Sequence, residues 1–126
     1  MQVFFAGIVV GVIILQTMIF APTIFTTIDA APAGKLLRAL FPKFFKLLCI
    51  LGIASMISAL ASDTPGIVKP LIAGATIVFP IVCIVIIPIT NRATDRGDKA
   101  TFKKLHTLSV VLTLILLLAN IAVPFL

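Results

Sequence analysis

Four long apolar runs determine what this chain can fold into. They cover residues 3–28, 44–62, 70–90 and 105–126. A helix needs about 20 apolar residues to cross the hydrocarbon core of a bilayer, and none of these runs alternates as the strands of an outer-membrane barrel do. Backbone polar groups inside hydrocarbon must be satisfied within their own segment. Each run therefore predicts one membrane-spanning helix.

The composition excludes a soluble domain beside these helices. Hydrophobic residues make up 61% of the chain and charged residues 11%, whereas soluble domains average about 45–50% and about 25%. We therefore expect residues 1–126 to form a single transmembrane domain, an all-α four-helix bundle. The first run is longer than the apolar part of a signal peptide and has no Lys or Arg before it, so we expect it to be retained.

Basic residues predict the orientation. Nine of the ten Lys and Arg residues lie in the first and third connections, and Lys69 alone lies in the second. The positive-inside rule predicts that loops one and three are cytoplasmic and that both termini are outside. The short loops favour a bacterial inner (plasma) membrane. The residues expected to meet anionic lipid headgroups are Lys35, Arg38, Lys43, Arg92, Lys103 and Lys104.

The first loop has a pattern of its own. Residues 36, 37, 40 and 41 are apolar and share one side of a helix, whereas Lys35 and Arg38 fall elsewhere. This pattern predicts a short interfacial helix over residues 32–41. Pro42 follows at a position where a new helix can begin, because its missing N–H costs little there.

Small residues mark the faces on which helices pack in lipid. The first run carries a GxxxG pair, and small residues also line parts of runs two and three. We expect contacts inside the bundle, with a homodimer or partner interface as the alternative. The predicted packing residues are Gly7, Gly11, Ala54, Ser58, Ser62 and Gly74.

Polar residues inside a membrane are costly and are functional candidates by default. The candidate intramembrane polar site consists of Gln16, His106, Ser109 and Asn120. Four prolines (Pro22, Pro80, Pro88 and Pro124) each remove one helical hydrogen bond and free a carbonyl, among them that of Thr76.

Catalytic chemistry has little support in this sequence. The single histidine, His106, provides one haem ligand at most, so a haem would need a homodimer or Met18 as second ligand. The four acids are not paired, no nucleophile adjoins a base, and Cys49 and Cys83 form no metal motif. We therefore predict no enzyme activity, cofactor or metal site. No basic stripe alternates with aromatic residues, so we predict no nucleic-acid binding.

Two short elements resemble the DUF4149 or TMEM205-like family of small four-helix membrane proteins. One is the Phe-Pro-x-Phe-Phe element at residues 41–45, and the other is the Phe-x-x-x-His-x-x-Ser element at residues 102–109. Animal relatives are linked to drug resistance and trafficking, and they tend to carry Asn where this chain has Thr113. The residues that match by position are Pro22, Gly34, Phe41, Pro42, Asn91, Phe102, His106 and Ser109.

Two functions from different classes fit this sequence. The favoured one is a structural or accessory subunit that packs in a larger membrane complex or in a homo-oligomer. The alternative is an oligomeric component of a small-solute or metal transporter or exporter, supported by the prolines of run three, Gln16 and His106. The expected partners are the lipid bilayer and either other membrane subunits or a second copy of this chain.

Overall fold

Four long helices make up almost the whole chain. The computed structural model describes residues 1–126, and each helix is long and apolar enough to cross a membrane. There are no strands, so the predicted all-α bundle is confirmed. The helices are α1 (Gln2–Thr27), α2 (Ala30–Leu60), α3 (Val68–Asp95) and α4 (Lys99–Ala122), and α4 continues into a 3-10 turn at Val123–Phe125.

The first connection differs from the prediction. Residues 32–41 do not form a separate interfacial helix, because α2 runs without interruption from Ala30 to Leu60 with Pro42 in its interior. Pro42 removes only one helical hydrogen bond, that to the Arg38 carbonyl. Helix-forming residues on both sides of it continue the helix. The predicted short helix is therefore the first part of a spanning helix.

Capping shortens the third connection. The residues between the third and fourth apolar runs, 91–104, are mostly helical, since α3 continues to Asp95 and α4 begins at Lys99. Gly97 has a φ of +72°, which suits glycine at a helix end. Asp98 then caps α4, because its carboxylate accepts hydrogen bonds from the Thr101 N–H at 3.1 Å and the Thr101 hydroxyl at 2.7 Å.

A wider turn interrupts α1 near its middle. Residues Leu15–Phe20 are π-helical and lie between α-helical Gln2–Ile14 and Ala21–Thr27. The Ala21 N–H donates to the Gln16 carbonyl, five residues back. Pro22 follows this turn and has no N–H to donate. The predicted disturbance at Pro22 thus takes the form of a π turn.

The two ends of the bundle differ in charge and in packing. The basic end is the end that carries the α1–α2 and α3–α4 connections, and nine of the ten Lys and Arg residues lie toward it, most of them within helices. The neutral end carries the α2–α3 connection, with Asp63 in the connection and Lys69 at the start of α3. No residue of 17–27 in α1 or 99–112 in α4 is buried. The four helices therefore pack closely in the half near the neutral end, around Val9, Ile13, Leu48 and Leu116.

Aromatic side chains of α2 contribute to the same core. Phe44 and Phe45 are both buried, with ring centroids 5.0 Å apart, and Phe41 stacks on Phe45 at 6.2 Å. These rings belong to one cluster with Val9 and Cys83. The Phe-Pro-x-Phe-Phe element is therefore a packing element of this fold.

Candidate functional site

The four predicted polar residues do not form one site. Asn120 bonds to Thr76 of α3, whereas His106 and Ser109 lie on α4 toward the basic end. Fourteen residues separate His106 from Asn120, which is about 21 Å along a helix. The structure therefore divides the predicted site into separate positions, because residues far apart along one helix cannot share a small ligand.

Asn120 joins α4 to α3. Its side-chain N–H groups (Nδ2) donate to the Thr76 hydroxyl at 3.1 Å and to the Leu116 carbonyl at 2.9 Å. The Thr76 hydroxyl in turn donates to the Ile72 carbonyl at 2.8 Å. Both side chains are fully enclosed, but Asn120 Oδ1 has no partner. Buried polar atoms normally have partners, so this oxygen is a candidate for ligand contact.

Gln16 is also buried, at the start of the π turn. It is the only buried residue of Leu15–Phe20, and its Nε2 has no partner. π turns inside α-helices are often found at functional positions. Gln16 therefore remains a candidate on its own.

Ser109 and His106 have different surroundings. Ser109 is half-buried, and its side chain lies next to that of Cys83 in α3. His106 is exposed and stacks on Phe102, with centroids 5.4 Å apart and the rings 6° from parallel. The Phe-x-x-x-His element thus forms an aromatic pair on the surface of the bundle.

Helix packing depends on a glycine that is not among the predicted packing residues. A Cβ atom added to Gly52 of α2 would lie 2.8 Å from the Thr76 carbonyl carbon and 2.9 Å from its oxygen. Only glycine allows this approach of the two backbones. Leu48, Gly52, Ser55 and Ala59 repeat at helical spacing and form the buried stripe of α2. That spacing is a signal in the sequence that would have identified this face.

The predicted internal contacts of Gly7 and Gly11 are wrong. Both glycines are exposed on α1, and an added Cβ would meet no atom within 4 Å at either position. They point away from the bundle because the buried face of α1 is formed by larger residues, Ala6, Val9 and Ile13. Of the other predicted packing residues, Ala54, Ser58 and Gly74 are half-buried and Ser62 is exposed.

The predicted headgroup residues are all exposed near the basic end. Arg38 forms a two-point ion pair with Asp95, at 2.6 and 3.3 Å, and thereby ties α2 to α3. Arg92 Nε donates to the Pro88 carbonyl of its own helix at 3.3 Å. The hydrogen bonds from Thr101, together with nearby Arg96, hold the pKa of the Asp98 carboxyl below its usual value.

Potential metal ligands do not gather in this structure. No group of three or more His, Cys, Asp or Glu side chains lies close enough together to hold a metal ion. The two cysteines are free, Cys83 buried and Cys49 half-buried.

The fold defines a class: a small multi-pass membrane protein with four spanning helices. Within this class the chain belongs to the DUF4149 family, a domain of unknown function, whose model matches residues 4–99. The predicted DUF4149 membership is therefore confirmed, and the TMEM205-like relation stays a prediction. No curated protein and no solved structure shows a significant match to the chain.

Proposed function

We propose that this DUF4149 protein is a non-catalytic membrane subunit that assembles through the outer face of α1. The observation that carries the proposal is the position of Gly7 and Gly11, which face away from the bundle with open space around them. Glycines four residues apart let another helix approach the backbone closely, and such contacts drive helix association in lipid.

The surroundings of the glycines support a packing face. Val3 and Leu15 continue the same helical row at four-residue spacing, and both are exposed. Phe4 and Ile14 flank the row and are exposed as well. Together these residues make a flat strip with larger side chains at its borders, the form that a second helix fits. The occupant is either a subunit of a larger complex or a second copy of this chain.

Native mass spectrometry tests the assembly. The untagged protein is gently solubilised from its own membrane, and its mass is compared with that of the double variant Gly7→Leu/Gly11→Leu. The matched control is Val78→Leu/Val85→Leu, which enlarges two exposed positions of α3. We expect a defined hetero- or homo-oligomer that is lost in the glycine variant and kept in the control.

Two outcomes contradict the proposal. One is a bare monomer of the wild-type chain, and the other is an oligomer that the glycine variant leaves intact. A heteromeric mass would identify the partner complex, whereas a homo-oligomer that depends on the glycines would identify self-assembly.

We also propose the orientation that the basic residues indicate. The basic end faces the cytoplasm of a bacterial inner membrane, and both termini face the outside. A reporter fused after Leu126 tests this orientation. Alkaline phosphatase should be active there and green fluorescent protein dark, and the reverse pattern would contradict the proposed orientation.

The transporter alternative rests on a different observation. Buried polar atoms of Gln2, Gln16, Ser55 and Asn120 have no hydrogen-bond partner, and polar groups of this kind line solute paths in membrane proteins. Uptake or export of a solute by reconstituted vesicles would favour this alternative over the accessory role.

A further inference from the structure

Three helices each bury one polar side chain in the half of the bundle near the neutral end. Ser55 of α2, Thr76 of α3 and Asn120 of α4 are each no more than 1% exposed. We call these three residues the polar cluster. In a chain that is 61% hydrophobic, such a group is costly unless its hydrogen bonds are satisfied.

The backbone contact at Gly52 places Ser55 in this cluster. Gly52 touches the Thr76 carbonyl, and α2 and α3 run in opposite directions. One turn beyond Gly52, Ser55 therefore meets the turn of α3 that precedes Thr76. The Thr76 hydroxyl reaches into that same turn, since it donates to the Ile72 carbonyl.

Two buried polar atoms of the cluster lack hydrogen-bond partners. These atoms are Asn120 Oδ1 and Ser55 Oγ. Asn120 Oδ1 only accepts hydrogen bonds, and the serine hydroxyl either donates or accepts. A ligand that completes the cluster must therefore donate hydrogen bonds.

A cavity of about 220 Å³ opens at the neutral end, with Ala59, Lys69, Pro70 and Leu126 in its lining. Ala59 is one turn from Ser55, and Pro70 is under one turn from the buried Ala73. Gln2 lies beside this cavity: its Nε2 donates to the Lys69 carbonyl at 2.8 Å, while its buried Oε1 has no partner.

We propose that the polar cluster is a binding site for water and for uncharged hydrogen-bonding solutes of similar size, which enter from the neutral end. The ligand is uncharged because all four acidic residues lie in connections or at helix ends, so a buried cation would find no countercharge. It is small because the cavity at the neutral end, through which it would enter, has about 220 Å³, below the range of drug-sized ligands, about 300–1,000 Å³. Val9, Ile13 and Leu48 close the core beyond the cluster.

Water itself is the probe for this site. The protein is reconstituted in lipid bilayers, and magic-angle-spinning NMR measures magnetisation transfer from water to the Asn120 side-chain amide. Thr113 is the internal control, because it is buried and its hydroxyl already donates to the Ser109 carbonyl at 2.7 Å. We expect transfer to Asn120 and none to Thr113, and we expect Ser55→Ala to weaken the transfer to Asn120.

The thermal unfolding midpoint of Ser55→Ala provides a second readout. Its change distinguishes a serine hydroxyl that binds water from one that has no partner. If the Ser55 hydroxyl binds water, its removal lowers the unfolding midpoint. If the hydroxyl is simply unpartnered, its removal leaves the midpoint unchanged or raises it, and the proposal is wrong. Absence of transfer to wild-type Asn120, or transfer that Ser55→Ala does not weaken, would overturn it too.

Discussion

Two glycine-bearing regions of the molecule have opposite environments. Around Gly52, the backbones of α2 and α3 touch, and no space remains for even one methyl group. Around Gly7 and Gly11 on α1, no atom lies within reach of an added methyl group. In both regions glycine lies on an apolar helix. At Gly52 the neighbouring helix belongs to the same chain, whereas no helix of this chain packs against Gly7 and Gly11.

This difference shows what a small-residue pattern means in a membrane helix. Lipid tails are as apolar as leucine, so close packing rather than burial of apolar surface brings helices together. Small residues therefore indicate a close approach, but they do not say whether the approaching helix belongs to the same chain. Substitutions at the two regions should separate intrachain from interchain contacts.

The largest loss of folding stability is expected for substitutions at Gly52. Gly52→Ala places a methyl group against the backbone of Thr76, so α2 and α3 must move apart. Overpacking of this kind costs typically about 1–3 kcal/mol, and Gly52→Leu should prevent folding. Gly74→Ala is the matched control, because its Cβ would lie 3.5 Å from the flexible end of Met56, an ordinary contact. Equal unfolding midpoints of Gly52→Ala and Gly74→Ala in detergent would refute the close contact.

A smaller loss is expected when the polar contact between α3 and α4 is removed. Asn120→Leu eliminates the hydrogen bond to Thr76. Interhelical hydrogen bonds in membrane proteins contribute on average about 0.6 kcal/mol and at most about 1.7 kcal/mol. The unfolding midpoint should therefore fall less than in Gly52→Ala. A double-mutant cycle with Thr76→Val measures the pair directly, and additive effects would mean that the two side chains do not interact.

No loss of folding stability is expected at the open glycines. Gly7→Ala and Gly11→Ala meet no atom, so in monomeric protein neither should lower the unfolding free energy by more than about 0.5 kcal/mol. Ala forms helix more readily than Gly, by about 0.8–1.0 kcal/mol in a helix interior, which favours a gain of up to that size. A loss as large as that of Gly52→Ala would show that α1 packs with its glycines inward.

The last prediction concerns the pH dependence of the cap that positions α4. Because folding lowers the pKa of Asp98, its ionised form stabilises the fold above the usual carboxyl pKa, and this contribution is lost as the pH falls through the lowered value. Asp98→Asn should retain the cap but reduce the acid dependence of the unfolding midpoint. Identical pH profiles of the wild type and Asp98→Asn between neutral and acidic pH would contradict the assignment.

The helices were predictable because their signal is strong. Runs of apolar residues with few charges identify spanning segments from length alone, and the four helices follow those runs. The predicted ends of the helices were less accurate. α3 and α4 extend beyond the apolar runs up to the cap at Asp98, because polar residues at the ends of an apolar run can also adopt the helical conformation. The continuation of α2 through Pro42 was missed for the same reason.

The candidate site was less predictable. The polarity of Asn120 identifies it in the sequence, but its partner Thr76 enters the sequence analysis only through its freed carbonyl, and Ser55 is not among the predicted residues. The sequence of α1 does not mark which face turns inward, because this helix is apolar around almost its whole circumference. Gly7 and Gly11 were expected inside for that reason, whereas the contact at Gly52 emerges only when α2 and α3 are placed together.

The uninterrupted α2 helix also has a consequence for the membrane around it. Thirty-one residues at a rise of about 1.5 Å each give a rod of about 46 Å, whereas the hydrocarbon core is about 30 Å thick. The excess length must tilt or project into the headgroup region. Because Pro42 does not break the rod, Arg38 and Gly52 lie on one continuous helix. We therefore expect a change in bilayer thickness that alters the tilt of α2 to move both positions together.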